Sequence, residues 1–353
     1  MNGAGFLVLL ATALGIEAPS LAQPPEPPSS ALRGAGSVIV FPKFLKGTVA
    51  VDGVTKPRTE IEVRARCPNG ATCPEDEPVK IRFHWVCPGS QDIAPKGVCQ
   101  EIGFDVRLSV NAQVLLNPED PKIAPCPSGY LIGWVISPTT NRPIKYDGLT
   151  GSALLRDDRV AVESYEAFTI QANRDLAARA EVATDIDSRT GIPALIFDGG
   201  AGHYQAVAEK IPAALEYHKL AGPFSSNQAF LVLLTLDVRV NRPNYPTFVD
   251  LDFRTDDGAR GSSSWNFTCW TEIQNLNTDG KYAPAGARIS NAVILSGRAI
   301  KVPVGAISDI PGPVTLLGLV PSYEGPGRWT MDPVYIVERF DSSKPTTVFI
   351  PVH

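Results

Sequence analysis

The 353-residue chain contains no C-x-x-C pair, no H-x-H, no H-E-x-x-H and no G-x-S-x-G. Each gap removes a class of chemistry. Two thiolates on one zinc ion need close cysteine pairs, and thiol redox enzymes use the same spacing. Metal hydrolases present paired histidines, and α/β-hydrolases present their serine on a glycine-flanked elbow. Beyond the first sixteen residues no run of about eighteen apolar residues occurs, so no membrane-spanning helix is expected. Excess positive charge is lacking too. The formal net charge is −5, which provides no basic field to attract nucleic acid or anionic lipid.

What is present describes a globular chain with many turns. Hydrophobic residues make up 44% and charged residues 20%, which excludes wholesale disorder. Gly (30) and Pro (32) are scattered, favouring short elements over long helices. The length suggests about two domains.

Residues 5–16, GFLVLLATALGI, are too short to cross a bilayer and match the apolar core of an export signal. Ser20-Leu21-Ala22 supplies small residues for cleavage, so residues 1–22 read as a signal peptide and the mature chain as starting at Gln23. No basic residue precedes the apolar run, which departs from the usual signal pattern. Residues 23–34, opening with QPPEPPSS, read as a stiff extended spacer.

Six cysteines follow: Cys67, Cys73, Cys87, Cys99, Cys126 and Cys269. An even set on an exported chain is a disulfide framework. Closing short loops gives Cys67–Cys73 and Cys87–Cys99, leaving Cys126 for Cys269, although six cysteines allow fifteen connectivities.

Alternation of apolar and polar residues marks strands. Residues 61–66 place Ile61, Val63 and Ala65 on one face. Residues 79–85 turn Val79, Ile81, Phe83 and Trp85 inward and Lys80, Arg82 and His84 outward. Residues 105–115 keep one apolar face for their whole length, and 129–136 are almost continuously apolar, as in a central strand. Strand-like runs recur at 230–240, 248–254, 265–273, 292–304, 333–340 and 346–352. Within 265–273 the alternation sends Cys269 into a core and Trp270 to the surface. The best helix candidate is 171–183, rich in Ala but without an apolar stripe, so a loop remains equally open. These patterns predict a mainly β protein. Two antiparallel β-sandwich domains of immunoglobulin-like architecture, 35–160 and 226–353, flank a short mixed connecting segment, 161–225.

Trp85 on a central strand near cysteines suggests an immunoglobulin domain, but Tyr130 follows Cys126 instead of preceding it, so the likeness stops at the sandwich. The segments GSVIVFPKF (36–44), PIKYDGLTGSALLR (143–156) and FTCWTEIQ (267–274) resemble those of β-rich exported bacterial proteins of unknown function. That resemblance brings no catalytic motif.

Four constellations could hold chemistry. Residues 194–211 read as strand, Gly-rich turn, helix, but Gln205 stands where a dinucleotide fingerprint needs its third glycine. A tight turn between strands is the simpler reading. Asp250, Asp252, Asp256 and Asp257 could gather around calcium, although a solvated acidic face explains them as well. His203 and Asp198 could join a serine from 261–265 in a hydrolytic triad. Trp134, Trp265, Trp270 and Trp329 offer aromatic rings, with Trp270 the leading candidate for stacking on a ligand or on a neighbouring domain.

The combined expectation is an exported, disulfide-bonded, non-enzymatic protein of the bacterial periplasm or cell surface. It needs no cofactor, with calcium as the alternative. Its partner would be cell wall, polysaccharide or another surface protein, and not nucleic acid. A secreted hydrolase with a cleft between the sandwiches is the rival.

Overall fold

The computed structural model describes residues 34–205 except 69–70, 75–77, 90–96, 120–123, 157–161 and 187–192. Beyond 205 it describes 215–216, 230–236, 243–244, 247–254, 260–274, 293–301, 312–313, 316–325, 328–336 and 346–348. Residues 1–22, expected to be a signal peptide, and nearly all of the expected spacer lie outside the described residues.

Among the described residues there are strands and turns but no helix. A first sheet has five antiparallel strands in the order Phe168–Ile170, Val38–Leu45, Ser128–Ile136, Val79–Val86, Glu101–Leu108. The run at 129–136 is a central strand, as its continuous apolar sequence predicts. A large sheet has eight strands, in the order Trp270–Gln274, Phe230–Thr235, Leu316–Gly325, Arg328–Ile336, Val162–Glu166, Leu149–Arg156, Thr59–Ala65, Gln113–Leu116. Its pairs are antiparallel except for Val162–Glu166 with Arg328–Ile336, which is parallel. This sheet therefore takes four strands from each half of the chain. A third sheet pairs Thr184–Ile186, Pro193–Phe197 and Thr346–Val348. A fourth, drawn from the second half, orders Leu215–Glu216, Val293–Lys301, Thr247–Arg254 and Arg260–Phe267.

The core follows from the alternation. Ile81, Phe83 and Trp85 are fully buried, as are Ile61, Val63 and Ala65. Burying each large apolar side chain stabilises by about 1.5–3 kcal/mol. The first and large sheets touch at Gly151, where an added Cβ would lie 2.7 Å from Phe41 Cζ and 3.1 Å from Ile39 Cδ1. Glycine there lets the layers close up. Phe44 meets Trp85 edge to face at 4.7 Å between centroids, the arrangement that aromatic quadrupoles favour.

Several expectations are corrected. Residues 105–115 are two strands in two sheets, because the chain turns between Ser109 and Ala112 with Asn111 at φ 66°. For residues 171–183, where helix and loop were equally open, the loop is found: turns and isolated bridges whose backbone bonds to neighbouring segments. His84, expected on a polar outer face, is buried. The central strands of the first sheet are buried on both faces: the His84 ring stacks on the buried Trp134 ring at 5.0 Å and 7°, and its Nδ1 bonds Glu101.

All six cysteines are bridged: Cys67–Cys73, Cys87–Cys126 and Cys99–Cys269, with Cα separations of 5.8, 5.9 and 6.4 Å. The first expected pair stands. The other two are exchanged, for a reason visible in the ladder. Cys87 N–H donates to Gln100 C=O at 2.9 Å, extending the register Val86↔Glu101. Opposed residues on antiparallel strands point the same way, so Cys99, one residue out, points away from Cys87.

Candidate functional site

The polar side chains gather where residues 143–149, 171–183 and 197–205 meet. Lys145 and Asp147 are two apart on an extended segment and therefore share a side. Asp147 Oδ1 accepts from Ser37 Oγ at 2.7 Å and from Ala172 N–H at 2.8 Å. Lys145 Nζ lies 3.9 Å from Asp147 Oδ2 and donates to the carbonyls of Asn173 and Leu176, both at 2.9 Å. Burial pushes the Asp147 carboxyl above its usual range; the Ser37 and Ala172 bonds and the Lys145 charge offset part of that rise.

Tyr204 lies beside this pair. Its ring is fully buried and stacks on Phe197 at 5.3 Å. Its hydroxyl has no hydrogen-bond partner among the described residues. Burial, reinforced by the Asp147 charge, raises its pKa well above the usual phenol value.

The same 171–176 segment leads to the second pair. Asn173 Nδ2 donates to Gly199 O at 2.7 Å and Gly200 O at 2.8 Å, and Asn173 N–H donates to His203 O at 2.8 Å. These bonds fix the Gly-rich turn, which reverses the chain with Gly199 and Gly202 at positive φ. Asp198 Oδ1 lies 2.8 Å from His203 Nδ1 and accepts Gly200 N–H at 2.8 Å. A Cβ on Gly200 would sit 2.9 Å from His203 Nδ1, so glycine permits the approach. The expected strand and turn at 194–205 are present, and residues 206–211 lie outside the described residues.

The structure thus brings His203 and Asp198 together. The carboxylate orients the ring through Nδ1, leaving Nε2 as the nitrogen available to a proton acceptor or donor, the arrangement that a hydrolytic triad requires. The His203 side chain is 24% exposed. Gly261–Ser264 lie on the strand Arg260–Phe267, whose backbone pairs with Thr247–Arg254 in the fourth sheet.

Trp270 does not face solvent or a ligand; of its two expected covers, a ligand or the neighbouring half of the chain, it has the second. It is 5% exposed, and its Nε1–H donates to Pro42 O at 2.7 Å. The alternation that turned it outward is broken by Cys269, at φ 66°, which lets Phe267, Thr268, Cys269 and Trp270 all be buried. Its cover is the protein's own strand Val38–Leu45. Trp134 is likewise fully buried. The backbones of Trp265 and Trp329 lie on strands.

Asp250 and Asp252 lie on Thr247–Arg254, opposite Ser264 and Ser262. Asp256 and Asp257 lie outside the described residues. Among the described residues no group of three or more His, Cys, Asp or Glu side chains could hold a metal ion.

Sequence reasoning missed Lys145, Asp147, Asn173 and Tyr204. The i, i+2 spacing of Lys145 and Asp147 was a usable signal; Asn173 and Tyr204 had none, because their roles depend on which turns meet. No known family model matches the chain, and no curated protein is similar to it.

Proposed function

We propose that the protein is exported and serves as a non-enzymatic binding or structural component of the bacterial periplasm or cell surface. The observation that carries this reading is the bridging of all six cysteines, a state that persists in oxidising compartments. Two further features support it. No helix among the described residues is long and apolar enough to cross a membrane. The polar groups Asp147, Lys145 and Asn173 spend their bonds on backbone groups, on Ser37 or on one another, as framework residues do. The partner would be cell wall, polysaccharide or another surface protein. Expression with its leader in an exporting bacterial host, followed by mass spectrometry of the mature chain and retention on purified cell-wall material, tests the reading. Cleavage near Gln23, absent free thiols and retention are expected. Six alkylatable cysteines on an uncleaved chain would overturn export.

The finer division into two sandwiches, 35–160 and 226–353, belongs to the same reading. It is supported by a first sheet drawn wholly from residues before 171 and a fourth drawn wholly from residues after 214. The large sheet they share implies that neither half folds alone.

A second reading, a secreted hydrolase, is favoured by the His203–Asp198 hydrogen bond. Screening against chromogenic esters and glycosides tests it. Turnover abolished by His203→Ala and reduced by Asp198→Asn would replace the non-enzymatic reading.

A further inference from the structure

The chain leaves the fourth sheet at Phe267 and enters the large sheet at Trp270, using two residues for the crossing. Aromatic and β-branched residues, which suit an extended strand, dominate the whole run from Trp265 to Ile273. Local preference and final fold therefore disagree at this point, and something must hold the break.

The break is a three-residue turn. Trp270 N–H donates to Thr268 C=O at 2.8 Å around Cys269, whose φ of 66° matches the rare and strained form of this turn. Thr268 C=O also accepts Gly89 N–H at 3.1 Å. Cysteine has no intrinsic tolerance for left-handed backbone, unlike glycine or asparagine. What distinguishes Cys269 is its bridge to Cys99, both sulfurs lying in the core. Beyond the turn, Trp270 bonds Pro42 O, and Glu272, two residues on and so on the same side, meets the buried Lys43 Nζ at 3.2 Å.

We propose that the Cys99–Cys269 bridge is an oxidation-set latch: forming it imposes the left-handed turn that swings Trp270 and Glu272 onto the strand Val38–Leu45. Before oxidation, residues 265–273 run on as one strand with Trp270 outward, because a one-residue change of parity exchanges the two faces. The two thiols lose two protons and two electrons to a disulfide-bearing oxidant, which leaves as a dithiol. Trp270 and Glu272 then dock on the strand Val38–Leu45 only after oxidation. The latch is a property of the folded chain and stands or falls apart from the export reading.

The test compares two bridgeless variants of the full chain, Cys99→Ser/Cys269→Val and Cys99→Ser/Cys269→Gly, with Cys67→Ser/Cys73→Ser as control. Sucrose is added to offset the lost cross-link. Hydroxyl-radical footprinting with mass spectrometry reads oxidation of Trp270, and circular dichroism reads strand content. The Val variant should show a several-fold rise in Trp270 oxidation with strand content kept. The Gly variant, which accepts positive φ without a bridge, should stay near the wild-type level, as should the control. Protection of Trp270 in the Val variant would overturn the latch, because packing alone would then set the turn. Equal oxidation in the Val and Gly variants, or loss of strand content in both, would overturn it as well.

Discussion

Among the places where the chain changes sheets, two pass through a residue at φ 66°, Asn111 and Cys269, and they are secured by different means. At the first, Glu101–Leu108 in the first sheet gives way to Gln113–Leu116 in the large one. Ala112 N–H closes the turn on Ser109 C=O at 3.0 Å, while Ala65 clamps it from the side, accepting Asn111 N–H at 2.6 Å and donating to Ala112 O at 3.2 Å. Asparagine at the third position of such a turn tolerates the left-handed region, so residue choice and local hydrogen bonds suffice. At the second crossing the residue is a cysteine, and a bridge to a position 170 residues away holds what side-chain chemistry does not favour. A sheet change through left-handed backbone thus has two solutions in one molecule, one written locally and one depending on a distant partner.

The largest test of that contrast removes the distant partner. In the chain-entropy account a cross-link stabilises more as its loop lengthens. Cys99→Ala/Cys269→Ala should therefore cost about 5 kcal/mol and Cys67→Ala/Cys73→Ala about 2 kcal/mol. Urea midpoints at constant slope measure both. Equal losses would mean that the long bridge constrains nothing beyond its own turn. Next comes the indole that the second crossing delivers. Trp270→Ala should cost about 3–5 kcal/mol, as expected for truncating a buried aromatic ring, and it also leaves the Pro42 carbonyl without its donor. A thermal midpoint unchanged by this substitution would place Trp270 outside the core.

The contrast also explains how much could be read from the sequence. Alternation located the strands whose faces are uniformly apolar: Ile61, Val63 and Ala65, then Ile81, Phe83 and Trp85, are buried as their spacing predicts. It failed at both crossings, since neither Asn111 nor Cys269 interrupts the pattern of apolar residues, and backbone handedness leaves no trace in hydrophobicity. It failed again at His84, because a polar residue facing away from one core was taken to face water, and a second covered face cannot be seen in a single strand. Cysteine pairing by shortest loop worked for Cys67–Cys73, where six residues of separation leave little choice. It failed at Cys87, where strand register decides which way each sulfur points. At the candidate site, His203 and Asp198 were legible because five residues and a glycine turn bring them together. Asn173, which ties that turn to Lys145, depends on the meeting of two loops and was not.

The first crossing can be broken in a smaller way. Asn111→Val places a branched side chain at positive φ and should cost about 1–3 kcal/mol, whereas Asn111→Gly should be close to neutral. Denaturant midpoints of the two variants check this. If Val and Gly behave alike, the left-handed backbone is not what Asn111 supplies, and the clamp by Ala65 carries the turn alone.

The smallest effect concerns charge on the strand that leads into Asn111. Asp105 is touched by Arg82, with Nη2 at 3.2 Å, and by Lys80 Nζ at 3.0 Å. Partial burial raises its pKa, but hydrogen bonds and charge from Arg82 and Lys80 outweigh that and hold the carboxyl below the usual range. A depressed folded-state pKa gives stability that is complete above the ordinary carboxylate range and disappears as pH falls through the lowered value. Asp147, raised by burial, has the opposite slope: its contribution is complete below the ordinary range and is lost as pH rises through its raised value. Asp105→Asn should therefore flatten the loss of stability on acidification, while Asp147→Asn should look least harmful at neutral pH, where the wild-type carboxyl must ionise in a buried place. Thermal midpoints of both variants, followed from neutral pH into the acid range, separate the two slopes. Parallel curves for the two substitutions would show that neither carboxylate is perturbed as its surroundings imply. The Asp105 difference should also shrink with added salt more than the Asp147 difference, because the Asp105 side chain is 30% exposed and the Asp147 side chain 18%.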